Sequence, residues 1–141
     1  MPLMFQGESG NDTLMAEDII ELASSFSDEL FRIIPEVVYF GFYSRSGNLL
    51  FSRKRDPNIK SIVENPLTRL TLIAIIGGIE KLGNALSQKV DKVILRTENY
   101  RMYLVFIKEA FRALIISHKE TPEGIIDYAL SEFNRRIEKI L

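Results

Sequence analysis

The chain has 141 residues, of which 46% are hydrophobic and 26% are charged, which is the balance of one soluble globular domain. Its formal net charge of -1 provides no global attraction to nucleic acid or to an anionic membrane. The chain has no cysteine and a single histidine, which excludes disulfides, thiolate nucleophiles and the usual zinc sites. The composition therefore argues against most metalloenzymes and nucleophilic hydrolases.

The first residues carry no recognisable targeting signal. Residues 1–7 lack the basic segment and the long apolar core of a signal peptide. We expect residues 1–11 to form a disordered tail and residues 12–141 to form a single domain. The most apolar run, residues 70–79, has about half the length that a membrane-spanning helix needs. We therefore expect a buried helix there, no membrane span and a cytoplasmic protein.

The first part of the chain predicts a helix followed by a β-hairpin. Apolar residues recur at steps of three and four over residues 19–34, and Pro35 ends this helix because the residue before a proline leaves the α region. Residues 37–43 are apolar on both alternate faces, which is typical of a strand in a sheet that is covered on both sides. A turn with Gly47 leads to the return strand over residues 48–52.

Two prolines, each preceded by a residue that can cap a helix, mark the segment after the hairpin. Asp56 and Pro57 begin a short helical turn. Asn65 and Pro66 supply the N-cap and the first position of a long middle helix. The apolar residues of this helix, spread over residues 67–86, form more than one stripe. We expect the helix to bury more than one side.

Small residues interrupt the middle helix. Gly77 and Gly78 each cost about 1 kcal/mol relative to alanine in a helix interior. Together with Ala74 and Ala85 they form a flat surface that another backbone could approach closely. Close packing on the protein's own sheet and contact with a second helix explain this surface equally well.

Three strands and a last helix complete the chain. Residues 90–97 carry charges among apolar positions, which indicates an edge strand. Residues 101–107 and 112–118 predict two further strands, and the three form an antiparallel meander because their connections are too short for parallel crossovers. Thr121 and Pro122 begin the last helix, which has one clean apolar stripe.

The element order α-β-β-α-β-β-β-α predicts an α/β fold of the α+β type. Strands that are apolar on both faces need helices on both sides of the sheet. We expect a three-layer α/β/α sandwich around a five-stranded antiparallel sheet. The long middle helix would cover one face, and the two terminal helices would cover the other.

The order and the lengths of these elements resemble the roadblock/dynein light chain family. The resemblance extends over about residues 12–141. It rests on the segment IIPEVVYFGFYSRSGNLLFS, on the long middle helix with its small residues, and on the segment VDKVILRTENYRMYLVFI. The same pattern also fits the related longin and profilin-like folds. None of these segments is a catalytic motif.

This resemblance implies a non-catalytic homodimeric interaction module, a scaffold or regulator of a small GTPase or a motor-type partner. In the family, two subunits meet at the middle helix and the third strand. Carried onto this chain, the dimer interface consists of Ile73, Ile76, Gly77, Glu80, Val90, Lys92, Ile94 and Arg96. A small-ligand sensor domain and a longin-like adaptor domain of the same architecture are the alternatives.

The sequence contains no catalytic constellation. The phosphate-binding patterns GxxxxGK[ST] and GxGxxG and the nucleophile pattern GxSxG are absent. His118 is the only imidazole, and beside Lys119 and Glu120 it is expected to be solvated or to cap a turn. Glu17 and Asp18 diverge by about 100° around a helix, so they do not form an acid and base pair. We therefore expect that the protein is not an enzyme and that it binds no cofactor and no metal ion.

A basic cluster surrounds the first hairpin and consists of Arg45, Arg53, Lys54 and Arg55. A nucleic-acid surface would also need aromatic platforms or a reading helix, and the aromatic residues of these strands are expected in the core. We therefore predict no nucleic-acid binding and interpret the cluster as a possible surface for a protein partner.

Overall fold

The structure is a computed structural model that describes residues 9–140, with side chains from Glu17 onward. Residues 1–8 of the expected tail lie outside the described residues. The elements in chain order are α1 (Ser9–Ile33), β1 (Val37–Ser44), β2 (Leu49–Lys54), α2 (Pro57–Val63), α3 (Pro66–Ala85), β3 (Lys92–Arg96), β4 (Tyr100–Ile107), β5 (Phe111–His118) and α4 (Glu123–Ile140).

The strands form one five-stranded sheet in the order β2-β1-β5-β4-β3. Every neighbouring pair is antiparallel. The first hairpin therefore lies beside the three-stranded meander, which confirms the predicted fold class. β2 and β3 are the two edges of this sheet.

The two terminal helices cover one face of the sheet. Phe26 of α1 stacks on Phe133 of α4, with ring centroids 4.4 Å apart. Phe40 and Phe42 of β1 meet the Phe133 ring edge-on at centroid distances of 6.0 and 5.7 Å. The predicted stripe of α4 is buried at Ile126, Leu130, Phe133 and Ile137. The apolar stripe of this layer is therefore buried within the chain, while Ile125 and Tyr128 on the other side of α4 are exposed.

α2 and α3 cover the opposite face around a smaller core. The buried members of this core are Val38, Tyr39, Tyr43, Val63, Leu114 and Ile116. Because both faces of the sheet are covered, β1 is buried along its whole length except at its last residue, Ser44. The two-sided apolar pattern of this strand predicts this arrangement.

Two glycines allow the hairpin to pack closely on this second face. A Cβ at Gly41 would lie 2.8 Å from the ring of Tyr43 and 2.9 Å from the ring of Tyr39, so the two rings close over a position without a side chain. Gly47 has a φ of 92°, which favours glycine. A Cβ there would collide with the side chain of Ile73 on α3.

Two elements differ from the expectation. The short turn after Asp56 is a complete helix, α2, which the predicted order omitted. β3 begins at Lys92, two residues later than expected, so Val90 is not a strand residue. The Gln88 N–H donates to the Gly83 carbonyl at 2.9 Å, which turns the chain back over the end of α3. Val90 packs closely on Gly83 in this turn: a Cβ added to Gly83 would lie only 3.2 Å from a methyl group of Val90.

Among the described residues, no single helix has the length and apolar character needed to cross a bilayer. α2 and α3 reach that length and composition only when they are taken together, and the pair is bent by 63°.

Candidate functional site

The side of α3 that faces away from the sheet is the candidate site. Ile76 and Gly83, seven residues apart and therefore on one side of the helix, are its only buried residues. The other side is exposed at Leu67, Leu70, Ala74, Ile75, Gly78, Leu82, Ala85 and Leu86. We call these residues the α3 outer face. An apolar stripe of this length on a surface, interrupted by Thr71 and Lys81, indicates an interaction site.

The glycines of α3 are not required by packing within the chain. A Cβ at Gly77 or at Gly78 would meet no heavy atom within 4 Å outside the adjacent residues and the backbone of its own helix. Close packing on the protein's own sheet, one of the two explanations offered by the sequence, therefore does not account for them. Their absent side chains leave the centre of the α3 outer face flat, which would allow the axis of a second helix to approach closely.

The contact residues predicted on α3 lie mostly on its inner side and flank. Ile76 is 7% exposed and packs toward the sheet. Ile73, 39% exposed, contacts the hairpin turn at Gly47. Gly77 is half-buried beside the exposed Gly78. The sequence holds no signal that separates the two sides of α3, because apolar residues surround the helix.

The contact residues predicted on β3 point toward α4. Lys92 forms an ion pair with Asp127. Arg96 forms another with Glu123, with 2.5 Å between its Nη2 and the Oε1. Ile94 packs against the core that the terminal helices cover. These three side chains therefore already have partners within the chain.

The remaining side chains of β3 lie on the face of the sheet that α3 covers. Val93 and Leu95 alternate with the residues that face α4, and Leu95 is 43% exposed. Of the described strands, β4 alone pairs with β3. The outer edge of β3 therefore has unpaired backbone groups.

A buried arginine lies under the carboxyl-terminal half of α3. The side chain of Arg112 is 2% exposed, and its Nη2 lies 3.1 Å from Oε2 of Glu80, the last of the contact residues predicted on α3. The guanidinium also donates to the Phe111 carbonyl at 2.8 Å and lies 4.5 Å from the centre of the Phe106 ring. Burial lowers the pKa of Arg112, although Glu80 opposes the shift. Arg45 shares the Glu80 carboxylate at 3.4 Å.

A cavity of about 550 Å³ opens beside this arginine, between the end of α3 and the turn from β4 to β5. Its wall mixes cations such as Lys89 and Lys108 with carboxylates such as Glu138. Two buried atoms of lining residues, Arg112 Nε and Asn134 Oδ1, have no hydrogen-bond partner among the described residues. The cavity can take a small polar ligand.

Arg55, one of the four residues in the predicted basic cluster, closes the end of α1. Its guanidinium donates to the carbonyls of Phe31 at 2.6 Å and of Val37 at 2.8 Å. It also lies 4.9 Å from the centre of the Phe31 ring. Carbonyl groups at the end of a helix lack partners within the helix, and Arg55 supplies one. This arginine has a structural role.

The other three residues of the basic cluster also differ in their partners. Arg53 donates to the Ser27 hydroxyl of α1 at 2.7 Å. Arg45 is held by Glu80. Lys54 is exposed, and no described carboxylate lies within 4 Å of its Nζ. Strand alternation, which sends Arg53 and Lys54 to opposite faces, was the signal in the sequence that separates them.

The remaining candidates from the sequence do not form a site. The His118 ring stacks on Tyr100 with centroids 5.3 Å apart. Glu17 and Asp18 are both exposed on α1. In the described part of the chain, no group of three histidine, cysteine, aspartate or glutamate side chains is placed to hold a metal ion.

No family model and no curated protein matches this sequence. Solved structures match its fold. MglB from Myxococcus xanthus superimposes with a TM-score of 0.65 at 11% identity, over 87% of this chain and 94% of that one. A Roadblock/LC7 domain from Streptomyces avermitilis gives a TM-score of 0.62 at 10% identity, over 84% of this chain and 92% of that one. The chain has a roadblock-like fold.

A third similar structure is described as MglB with a tetrameric arrangement. Its TM-score is 0.64 at 12% identity, over 98% of this chain and 93% of that one. The roadblock-like fold predicted from the hairpin and the middle helix is thus confirmed. At these identities the likeness concerns the path of the backbone, so the role of each surface has to be argued from its own side chains.

Proposed function

We propose that two copies of this roadblock-like chain associate through the α3 outer face and the edge of β3, and that the dimer is a non-catalytic scaffold or regulator of a small GTPase. The α3 outer face carries the proposal. Leu67 at one end is 74% exposed, and Leu82 near the other end is 60% exposed. Of the charged residues on α3, Arg69 and Glu80 are half-buried and Lys81 alone is exposed. An almost uncharged face can be its own partner across a two-fold axis.

The edge of β3 supports the second half of this contact. Pairing β3 with the same strand of a second copy would continue the sheet and satisfy the backbone groups of both edges. Val93 and Leu95 would then extend the apolar contact beyond α3. The ion pairs of Lys92 and Arg96 with α4 leave the backbone edge free for this pairing.

The role of the dimer rests on the family resemblance. That family contains scaffolds and regulators of small GTPases, and the fold is the same. The tetrameric arrangement described for one MglB structure supports self-association of chains with this fold. The absence of a recognisable catalytic motif from the sequence supports a binding role rather than turnover.

Light scattering on matched glycine variants tests the dimer. Gly78 and Gly124 are both exposed helical glycines with open space around a Cβ, but Gly124 lies on α4. We expect a dimer for the wild type at micromolar concentration, a folded monomer for Gly78→Leu, and an unchanged dimer for Gly124→Leu. Gly77→Leu, on the flank, should weaken the dimer less. A monomeric wild type, or a Gly78→Leu variant that stays dimeric, contradicts the contact.

Binding to purified small GTPases from the same organism tests the role. We expect the dimer to bind one of them with an affinity that depends on whether GDP or a GTP analogue is bound, and the purified chain alone to turn over no GTP. Failure to bind any of these GTPases contradicts the regulatory role and leaves the dimer standing. GTP turnover by the chain alone that His118→Ala abolishes contradicts the non-catalytic assignment.

A small-ligand sensor is the second candidate, and the cavity beside Arg112 favours it. A volume of about 550 Å³ is within the range of small-molecule sites. Arg112 and Asn134 each have a buried polar atom without a described partner. Native mass spectrometry of the purified protein should then show a bound small molecule that Asn134→Leu removes. A wild-type mass equal to that of the bare chain argues against this function.

A further inference from the structure

The second edge of the sheet, β2, has a groove along it. A cavity of about 380 Å³ is lined by the consecutive residues Phe51, Ser52, Arg53 and Lys54, and by Lys60 of α2. Consecutive side chains of a strand point to opposite faces of the sheet. A cavity that touches four of them in a row therefore follows the outer edge of the strand itself. We call it the β2 groove.

Backbone groups of β2 point into this groove. The Arg55 N–H donates to the Val38 carbonyl of β1 at 2.8 Å. Groups of alternate residues point the same way in an antiparallel ladder, so those of Arg53 also face β1, while those of Ser52 and Lys54 face outward. Of the described strands, β1 alone pairs with β2. The β2 groove therefore presents donors and acceptors with the spacing of a strand.

Both walls of the groove are basic. Arg53 is on the α1 side, Lys54 is on the opposite side with Lys60, and no carboxylate among the described side chains lines the cavity. The carboxylates near these cations are 3.9 Å away, Asp28 from Arg53 and Glu64 from Lys60, and the closer contact of Arg53 is with the neutral Ser27 hydroxyl at 2.7 Å. Ion pairs at such distances with a partly exposed cation contribute little. Most of the positive charge is therefore available to a ligand.

We propose that the β2 groove binds an extended acidic segment of a partner protein by strand addition. The main chain of the segment pairs with the outward groups of Ser52 and Lys54. Its carboxylates alternate between Arg53 on one wall and the two lysines on the other, as the period of a strand requires. A second copy of this chain is a poor occupant, because its own β2 would bring the same cations face to face. The site is separate from the dimer contact, which uses the opposite edge of the sheet.

Fluorescence anisotropy with a designed probe tests this proposal. The probe is a labelled decapeptide in which pairs of adjacent glutamates alternate with pairs of valines, so that carboxylates reach both walls of the groove, and its control has lysine in place of glutamate. We expect the acidic peptide to bind at low salt and the basic peptide not to bind. In amide hydrogen exchange, the acidic peptide should protect the outward N–H groups of Ser52 and Lys54 and leave that of Arg53, already bonded to β1, unchanged.

Variants of β2 locate the binding. Ser52→Pro removes an outward N–H without touching the ladder to β1, and proline is tolerated on that side of an edge strand. It should abolish binding while the circular dichroism spectrum is retained. Lys54→Glu combined with Lys60→Glu should weaken binding about tenfold or more, and Lys119→Glu, the same change at an exposed loop position, should leave it unchanged.

Several outcomes overturn the proposal. They are no binding of the acidic peptide up to millimolar concentration, equal binding by a folded Ser52→Pro variant, and equal binding of both peptides. Displacement of the peptide by a single-stranded oligonucleotide of similar charge, at similar concentration, would make the groove a general polyanion site instead. If Ser52→Pro fails to fold, the charge-reversal variant and the exchange pattern at Ser52 and Lys54 decide the question alone.

Discussion

The two helical layers of this protein differ in how completely they bury their apolar residues. α4 has a narrow stripe, and Phe133 at its centre is fully buried. α3 is the more apolar helix of the two, yet Leu67 on its outer face is 74% exposed. The apolar stripes of α1 and α4 are covered within one chain, and in this sense their layer is complete, although Tyr128 of α4 is exposed. The layer of α3 is not complete in this sense. The apolar content of a helix therefore predicts that its side chains will be buried. Only the packing in the structure shows whether the same chain buries them.

The largest expected effect is in the complete layer. Phe133→Ala should lower the free energy of unfolding by about 3–5 kcal/mol, because it removes a fully buried ring and leaves a cavity. The ring lies against Phe26, Phe40 and Phe42, so three aromatic residues lose contacts together. Urea denaturation at submicromolar protein concentration measures the change without a contribution from dimer dissociation.

Leu67→Ala is the matched change in the incomplete layer. It removes a large apolar side chain from a helix, but Leu67 is exposed in the single chain. We expect the free energy of unfolding of the monomer to change by less than about 0.5 kcal/mol. Dimer dissociation should become easier in the same variant. A loss comparable to that of Phe133→Ala would show that α3 is covered by its own chain, and the contrast between the layers would disappear.

The complete layer was also the predictable one. The apolar residues of α1 and α4 repeat with the period of a helix. Residues 37–43 are apolar on both faces of their strand, which requires a helical layer on each side of the sheet. Local patterns of this kind determine the order of elements and the sheet. They do not determine which side of α3 faces the sheet, because apolar residues surround that helix. The sequence therefore predicted the layer of α3 correctly, but not which residues remain on its surface.

The second effect concerns the ion pair beneath α3. Glu80→Ala leaves the charge of Arg112 buried without its carboxylate. We expect a loss of about 2 kcal/mol, less than for a fully buried pair because Glu80 retains contact with water. Replacing Arg112 by methionine in that background should recover part of the loss, since the uncompensated charge is removed. Urea denaturation of the single and double variants measures both. A larger loss in the double variant would mean that Arg112 stabilises the layer by packing alone.

The third effect separates neighbours in the basic cluster. Arg55→Ala removes hydrogen bonds to the Phe31 carbonyl at the end of α1 and to the Val37 carbonyl of β1, and should lower the free energy of unfolding by about 1 kcal/mol. Lys54→Ala, one residue earlier, has no described partner to lose and should change stability by less than about 0.5 kcal/mol. Thermal unfolding of the two variants side by side checks this. Equal losses would contradict the structural role of Arg55.

The basic cluster shows why site residues were harder to predict than strands. Four basic residues close together in sequence suggested one surface. The structure uses Arg55 to close α1 and Arg45 to share Glu80 with Arg112, which are contacts between residues far apart in the chain. No local period encodes such pairs. Only the alternation within β2, which separates Lys54 from its neighbours, could be found in the sequence.

The last effect concerns two tyrosines whose side chains lie between β1 and α2. The Tyr39 hydroxyl donates to Oε2 of Glu64 at 3.0 Å and lies 3.2 Å from the Tyr43 hydroxyl. Burial is the main cause that raises the pKa of Tyr39, and the neighbouring Tyr43 and Glu64 raise it further. Burial likewise raises the pKa of Tyr43. Both phenols therefore remain protonated in the folded chain at a pH that ionises them in the unfolded chain.

This difference fixes the sign of the pH dependence. Unfolded tyrosine loses its proton near pH 10, so above about pH 10 the unfolded state binds fewer protons than the folded state. Below about pH 10 these groups therefore give the free energy of unfolding no pH dependence, and above it they make that free energy fall as the pH rises.

Tyr39→Phe should lower the free energy of unfolding by about 1 kcal/mol at pH 7 and make its fall at alkaline pH less steep. Tyr128→Phe, at an exposed position on α4, should leave the fall unchanged. Urea denaturation between pH 8 and about 11.5 measures the slopes. An alkaline fall that Tyr39→Phe does not alter would show that the layer of α2 and α3 opens to solvent at this network.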